Sequence, residues 1–149
     1  MRIIAAAIFS TCFTASAALA AGGHPPSAAA NAAFLARNAK AAGVVSVPGI
    51  QYQVLKRGRG PQPTHHDCVT VTYKGTLIDG TVFDATKPGE PRTFPAGELI
   101  PGWVEALTMM HAGDKWRLVI PSGLAYGAEG AGGVIPPNQT LVFELELLK

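Results

Sequence analysis

The side chains that usually carry polar chemistry stand far apart in this chain. Its four histidines are His24, His65, His66 and His111. None has a partner at i+4 on a helical pattern, and no cysteine pair accompanies them. Structural and catalytic zinc need several convergent ligands, so no metal site is expected. There is no Gly-x-Ser-x-Gly elbow and Cys68 has no evident base, so nucleophilic catalysis lacks a triad. The glycine-rich stretch from Pro121 to Gln139 invites a phosphate-loop reading. No Gly-Lys-Ser/Thr follows it, however, and Pro136-Pro137 rather than a helix closes it, which argues against nucleotide binding. Among the carboxylates, Asp84 alone falls on an otherwise apolar, inward-reading strand end.

What remains is aromatic. Tyr73, Phe83, Phe94, Trp103 and Phe143 fall at inward positions or at strand and helix ends, with Leu99, Ile100, Tyr126 and Ile135 nearby in loops. Any one of them alone reads as ordinary core. Together they exceed what one face of a domain of about 100 residues needs, and several flank irregular segments. Function must then come from an apolar pocket rather than from a field of charge.

The elements that hold these residues follow from spacing. Between Ile100 and Gly113, Trp103, Leu107 and Met110 recur at i, i+4 and i+7, one stripe of a helix. Pro101 suits the helix start and Gly113 the C′ stop. The flanks read as strands. Ile50 to Leu55 alternates. Val69 to Lys74 sets Val69, Val71 and Tyr73 on one face. Asp79-Gly80 signals a hairpin turn before Thr81 to Asp84. Arg92 to Pro95 is a short strand, and Lys115 to Ile120 puts Trp116, Leu118 and Ile120 on one side. Thr140 to Leu147 turns Leu141, Phe143, Leu145 and Leu147 inward, with Thr140, Glu144 and Glu146 outward. One wet face and one apolar face is the antiparallel pattern. The expected class is α+β: an antiparallel sheet with one short helix lying across it, and Trp103 pointing into the space between.

Hydrophobic residues make up 48% of the chain, but 17 of its 24 alanines precede residue 46, so the parts are read separately. Residues 1–20 read as a secretory signal peptide: Arg2, an apolar run from Ile3 to Phe13, and Ala18-Leu19-Ala20 for cleavage. That run is shorter than a membrane span of about 20 residues. Export is expected, to a periplasm or else outside the cell, with no membrane span in the mature form. Cys12 leaves with the signal, so Cys68 has no disulfide partner and reads as a small buried or edge residue. Residues 21–46 read as a flexible leader followed by an alanine-rich short helix or fraying arm, Ser27 to Ala42. That arm offers few large apolar residues for a dimer seam, so a monomer is expected. Residues 47–149 form the compact domain. The formal charge of +2, near +1 without Arg2, leaves no footprint for nucleic acid.

A resemblance sharpens this. Val71-Thr72-Tyr73-Lys74-Gly75-Thr76-Leu77, Asp79-Gly80-Thr81-Val82-Phe83-Asp84, Ile100-Pro101-Gly102-Trp103, Ala125-Tyr126-Gly127, Val134-Ile135-Pro136-Pro137-Asn138 and Leu141 to Leu147 stand in the order and spacing of FKBP-type peptidyl-prolyl cis–trans isomerases. The match runs over about residues 47–149, and the approach from Phe34 to Tyr52 is similar to the linker of exported bacterial members. The resemblance implies a curved antiparallel sheet wrapped around one short helix. It puts the pocket floor on Trp103 and the walls on Tyr73, Phe83, Leu99, Ile100 and Phe143, with Phe94 retained. It puts the carboxylate on Asp84, the loop hydroxyl on Tyr126 and the loop aliphatic on Ile135. Two rim positions depart from many relatives: Arg92 stands where an aromatic follows Pro91, and Ala131 replaces a larger residue. They bear on substrate preference and drug affinity more than on activity.

The implied activity is isomerisation of X–Pro bonds in exported proteins, assisting folding, without acid, base or cofactor. A dry aromatic cavity tolerates the twisted, less dipolar amide better than the planar one. Tyr126 would hydrogen-bond the substrate backbone, and Asp84 would either orient Tyr73 or face the twisted carbonyl. Proline-containing polypeptides are the implied partners, with macrolides such as tacrolimus and rapamycin as inhibitors. A chaperone or binding module using the same pocket with little turnover is the competing class.

Overall fold

The computed structural model describes residues 24–149; the expected signal peptide lies outside the described residues. The first element is α1 (Ala28–Asn38), capped by Ser27, whose Oγ accepts a hydrogen bond from the Ala30 N–H at 3.1 Å. Strands β1 (Val44–Ser46), β2 (Gln51–Lys56), β3 (Cys68–Leu77), β4 (Val82–Ala85) and β5 (Arg92–Pro95) follow. Then come α2 (Pro101–Met109), β6 (Lys115–Ile120) and β7 (Leu141–Leu147). All seven strands join one antiparallel sheet in the order β1-β2-β6-β7-β3-β4, with β5 also on β3. The expected α+β class holds.

Strand β3 organises the sheet because its ten residues bond on both sides. On one side β7 pairs with it from Val71↔Leu147 to Leu77↔Leu141. The other side is shared: β5 takes Cys68 to Val71, and β4 takes Lys74 to Thr76. At the gap, Thr86 stands in for a strand. Its Oγ1 accepts from the Tyr73 N–H at 3.1 Å, and its N–H donates to the Tyr73 carbonyl at 2.9 Å. The expected hairpin turn is present, with Gly80 at φ 89° and the Thr81 N–H on Asp79 Oδ1 at 2.9 Å.

The stripe read from α2 is the core. Trp103, Ala106, Leu107 and Met110 are wholly buried against Val69, Val71, Leu118, Ile120, Leu145 and Leu147. Burial of side chains of this size is worth about 1.5–3 kcal/mol each. Gly102 allows the close approach: a Cβ there would lie 2.5 Å from Ile120 Cγ2.

Several expectations need correction. Helix α2 stops at Met109, and Met110 turns extended so that its side chain drops into the core. Gly113 is therefore not the C′ residue. It sits at φ 94° in the following turn, where Asp114 accepts the His111 N–H at 2.8 Å. Of the two readings for Cys68, buried or edge, the structure overturns the first: it is exposed at the start of β3. Thr140 lies just before β7 and is buried, not outward in solvent.

The last difference traces to α1, which ends at Asn38 and is docked rather than fraying. Asn31 Nδ2 donates to Gln139 Oε1 at 3.2 Å, and Asn31 Oδ1 accepts the Thr140 N–H at 2.9 Å. Asn38 donates to Gln51 Oε1 at 2.7 Å and accepts from Arg117 Nη1 at 2.8 Å. Both asparagines are buried. Their bonds cover part of the sheet face that alternation assigned to water, and Val119 on that face is likewise buried.

Candidate active site

Three elements converge on one indole. Strand β3 brings Tyr73, β7 brings Phe143, and the first turn of α2 brings Trp103. Tyr73, Phe94 and Phe143 all meet Trp103 edge-on, with ring centroids 5.1, 6.4 and 5.2 Å away and interplanar angles of 83°, 81° and 80°. Edge-to-face packing sets the positive rim of one ring on the negative face of another, worth about 0.5–1.5 kcal/mol per pair beyond burial. Phe83, on β4, packs edge-on to Phe143 at 5.5 Å and 90°. Gly75 makes room for that contact. A Cβ at this position would lie 2.5 Å from Phe83 Cζ and 2.8 Å from Phe143 Cε1.

Polar groups edge this nest. The Tyr73 hydroxyl donates to Asp84 Oδ2 at 2.5 Å, and the other carboxylate oxygen accepts the Ala85 N–H at 2.9 Å. Burial, with the hydrogen bond to Asp84, pushes the Tyr73 phenol well above the ordinary tyrosine range. Tyr126 is also pushed up, first by burial and then by the Asp84 charge. Both phenols therefore stay protonated as donors at neutral pH. The Tyr126 hydroxyl is buried and has no hydrogen-bond partner among the described residues. Arg92 is half-buried, and its charge opposes the upward shift at Tyr73.

The loop from Pro121 to Gln139 is compact for all its glycines. Ala131 and Ile135 exchange backbone bonds of 2.9 and 3.0 Å, and the Gly130 N–H reaches the Tyr126 carbonyl at 3.2 Å. Gly130, at φ 64°, lets the chain pass under Ile135, since a Cβ would lie 2.2 Å from the Ile135 carbonyl. Ile135 is thereby packed into the cluster that holds Tyr73, Phe94, Leu99, Ile100, Trp103 and Phe143.

All ten residues singled out in the sequence thus come together. Seven belong to the buried cluster, Phe83 and Tyr126 pack against it, and Asp84 is tied to it through Tyr73. The indole differs from an open floor: Trp103 is 0% exposed, sealed by its edge-on neighbours. Phe83, Asp84 and Tyr126 are the members that reach solvent. Sequence reasoning missed Thr86, which fixes the Tyr73 backbone, and Asn31, which bonds to Gln139 at the end of the Tyr126 loop. Asn31 and Asn38 recur at i and i+7 on an alanine-rich helix, a signal that was there to read. Among the described residues, no group of three or more His, Cys, Asp and Glu is placed to hold a metal ion.

The chain is 53% identical over 124 residues to the FKBP-type 22 kDa peptidyl-prolyl cis-trans isomerase of Escherichia coli, covering 82% of this chain and 60% of that one. It is 50% identical over 118 residues to the outer membrane protein MIP of Legionella longbeachae, covering 78% and 51%. The chain thus spans only about half the length of the curated relatives it matches. The crystal structure of a peptidyl-prolyl cis-trans isomerase from Pseudomonas syringae superposes with a TM-score of 0.76 at 43% identity, covering 86% of this chain and 98% of that one. Residues 60–148, which include every member of the nest, match the family pattern described as FKBP-type peptidyl-prolyl cis-trans isomerase. With that pattern spanning most of the chain, and relatives half identical in sequence, the chain belongs to the FKBP-type peptidyl-prolyl cis–trans isomerase family.

Proposed function

We propose that this chain accelerates cis–trans rotation about X–Pro bonds of polypeptides, using the aromatic nest over Trp103. Amide resonance sets a barrier of about 18–20 kcal/mol, and the half-rotated amide loses that resonance with part of its dipole. An apolar wall therefore disfavours the planar form more than the twisted one, which is differential binding without a covalent step. A rate gain of about four decades requires roughly 5–6 kcal/mol, at about 1.36 kcal/mol per tenfold. In this reading Phe83, Phe143 and Tyr73 surround the substrate carbonyl, with Trp103 beneath and Phe94, Leu99, Ile100 and Ile135 closing the sides. Tyr126 donates to the substrate backbone. Asp84 holds the Tyr73 hydroxyl in place, the first of its two expected roles and the one its 2.5 Å bond supports.

The observation that carries the reading is the buried Tyr126 hydroxyl with no partner among the described residues, beside a ring cluster of matched geometry. A buried donor without an acceptor is rare enough to ask for a ligand. Export to a periplasm, help in folding exported clients, a monomeric state and macrolide binding complete the proposal. Export rests on the features of residues 1–20 and agrees with the name of the Legionella relative. No helix among the described residues is long and apolar enough to cross a membrane.

The test is magnetization-exchange NMR on a Xaa-Pro tetrapeptide, with and without tacrolimus. Acceleration that Phe83→Ala and Asp84→Asn each cut at least tenfold supports the isomerase. Aggregation suppression without turnover would favour the binding module instead.

A further inference from the structure

We propose that a cleft at the C-terminal end of α2 is a second polypeptide-binding site, taking a short acidic segment that carries apolar side chains. A cavity of about 490 Å³ opens there between β2, β6, the Arg57–Gly58–Arg59 turn and Met109. No residue of the aromatic nest lines it. Its floor is a face-to-face stack, with Tyr52 on Trp116 at 4.2 Å between centroids and 11° between planes. The β2–β6 register builds the stack by setting Val54 opposite Trp116 and Tyr52 opposite Leu118. Trp116 is 5% exposed, yet its indole N–H has no acceptor among the described residues. A donor cut off from both water and protein is relieved by a ligand carbonyl or carboxylate.

The rim is basic and held in place. Arg57 and Arg59 are exposed on a turn pinned to the end of α2. The Gly58 N–H donates to Asp114 Oδ1 at 2.6 Å, and the Gly60 N–H to the Ala112 carbonyl at 3.0 Å. A Cβ on Gly58 would lie 2.2 Å from the Ala112 carbonyl, so the turn can sit this close only with glycine. Asp114, the one carboxylate at the cleft, already engages the backbone N–H groups of Gly58 and His111, and its side chain stands 4.0 Å from His111 Nδ1. What the cleft presents outward is therefore two guanidiniums and an exposed imidazole above an apolar floor. Charge complementarity selects an acidic partner, and the aromatic stack with Val54 and Met109 accepts its leucine or phenylalanine side chains.

The site is independent of the isomerase reading and is tested with peptides that lack proline. The chain has two tryptophans, hence two indole N–H signals, and the Trp116 signal is assigned through its contacts with Tyr52. Labelled protein is titrated with N-acetyl-Glu-Leu-Glu-Leu-amide and, separately, N-acetyl-Lys-Leu-Lys-Leu-amide. The acidic peptide should shift Trp116 and leave Trp103 in place, while the lysine peptide shifts neither. The double substitution R57E/R59E should weaken acidic-peptide binding by about tenfold, and added salt should weaken it in the unsubstituted protein. Turnover of a short Xaa-Pro substrate should be unchanged in R57E/R59E, so failure here leaves the isomerase reading standing. An unmoved Trp116 signal, equal binding of both peptides, or full affinity in R57E/R59E overturns the proposal.

Discussion

Tyr126→Phe removes one oxygen and should move stability and turnover in opposite directions. The hydroxyl is buried without a partner among the described residues, so in the free protein it has lost its water bonds and gained nothing. A buried polar group in that state costs about 1–3 kcal/mol. Deleting it should leave the fold intact and raise stability by about 1 kcal/mol, or about 4–8 °C in Tm for a domain of this size. During turnover the same hydroxyl, kept protonated by burial and the Asp84 charge, donates to the substrate backbone. A neutral hydrogen bond of that kind contributes about 0.5–1.5 kcal/mol, so kcat/KM should fall about two- to tenfold. Urea unfolding followed by tryptophan fluorescence gives the first quantity, and NMR exchange on a Xaa-Pro tetrapeptide the second. Tyr73→Phe is the contrast, because its hydroxyl is bonded to Asp84 and its loss should destabilise. A clear fall in the stability of Tyr126→Phe would mean that the hydroxyl has a native acceptor. Unchanged kcat/KM would mean that it does not touch substrate. Either result refutes the reasoning.

Other consequences are as direct. Gly75→Ala drives a methyl into Phe83 and Phe143, and overpacking of this kind costs about 1–3 kcal/mol; turnover should fall with it, as read in the same two assays. Asn31→Ala strips the Thr140 N–H and Gln139 Oε1 of their partner, which should cost about 1–3 kcal/mol and speed hydrogen exchange at Thr140. Raised phenol pKa values at Tyr73 and Tyr126 mean that the folded state holds those protons more tightly than the unfolded chain. Titration of these phenols leaves stability unchanged below about pH 10 and lowers it above, by up to about 1.4 kcal/mol per pH unit for each phenol. Urea titrations at a series of alkaline pH values should show that decline, and Tyr73→Phe/Tyr126→Phe should flatten it.

Much of this architecture was legible because the interior repeats with simple periods. Trp103, Leu107 and Met110 on one helical stripe, and Leu141 to Leu147 alternating on a strand, tie sequence to core without ambiguity. That the clustered residues would gather was legible for a second reason, since the family words fix the identity and spacing of eight of the ten, all but Phe94 and Leu99. What escaped was set by contacts distant in sequence. Nothing near Asn31 says that its amide will meet Gln139, and alanine propensity alone leaves α1 open between a short helix and a fraying arm. The end of α2 was misplaced because Gly113 looked like a stop signal, while burial of the Met110 side chain ends the helix sooner. Thr140 read as outward because alternation cannot foresee a helix crossing the far side of a sheet.

The position of β7 also decides when the molecule can come together. It lies between β6 and β3, and through β3 it reaches back to the part of the chain that holds Tyr73. As the polypeptide leaves a ribosome, N-terminus first, β3 and β6 have no direct partner in each other and must wait for β7. The Trp103 cluster stays unsealed over that interval because Phe143 has not arrived. Pairings so far apart in sequence pay their loop-closure entropy before any reward, which makes assembly late and cooperative. A chain built in this order acquires the ring cluster over Trp103 only once β7 has paired with β3.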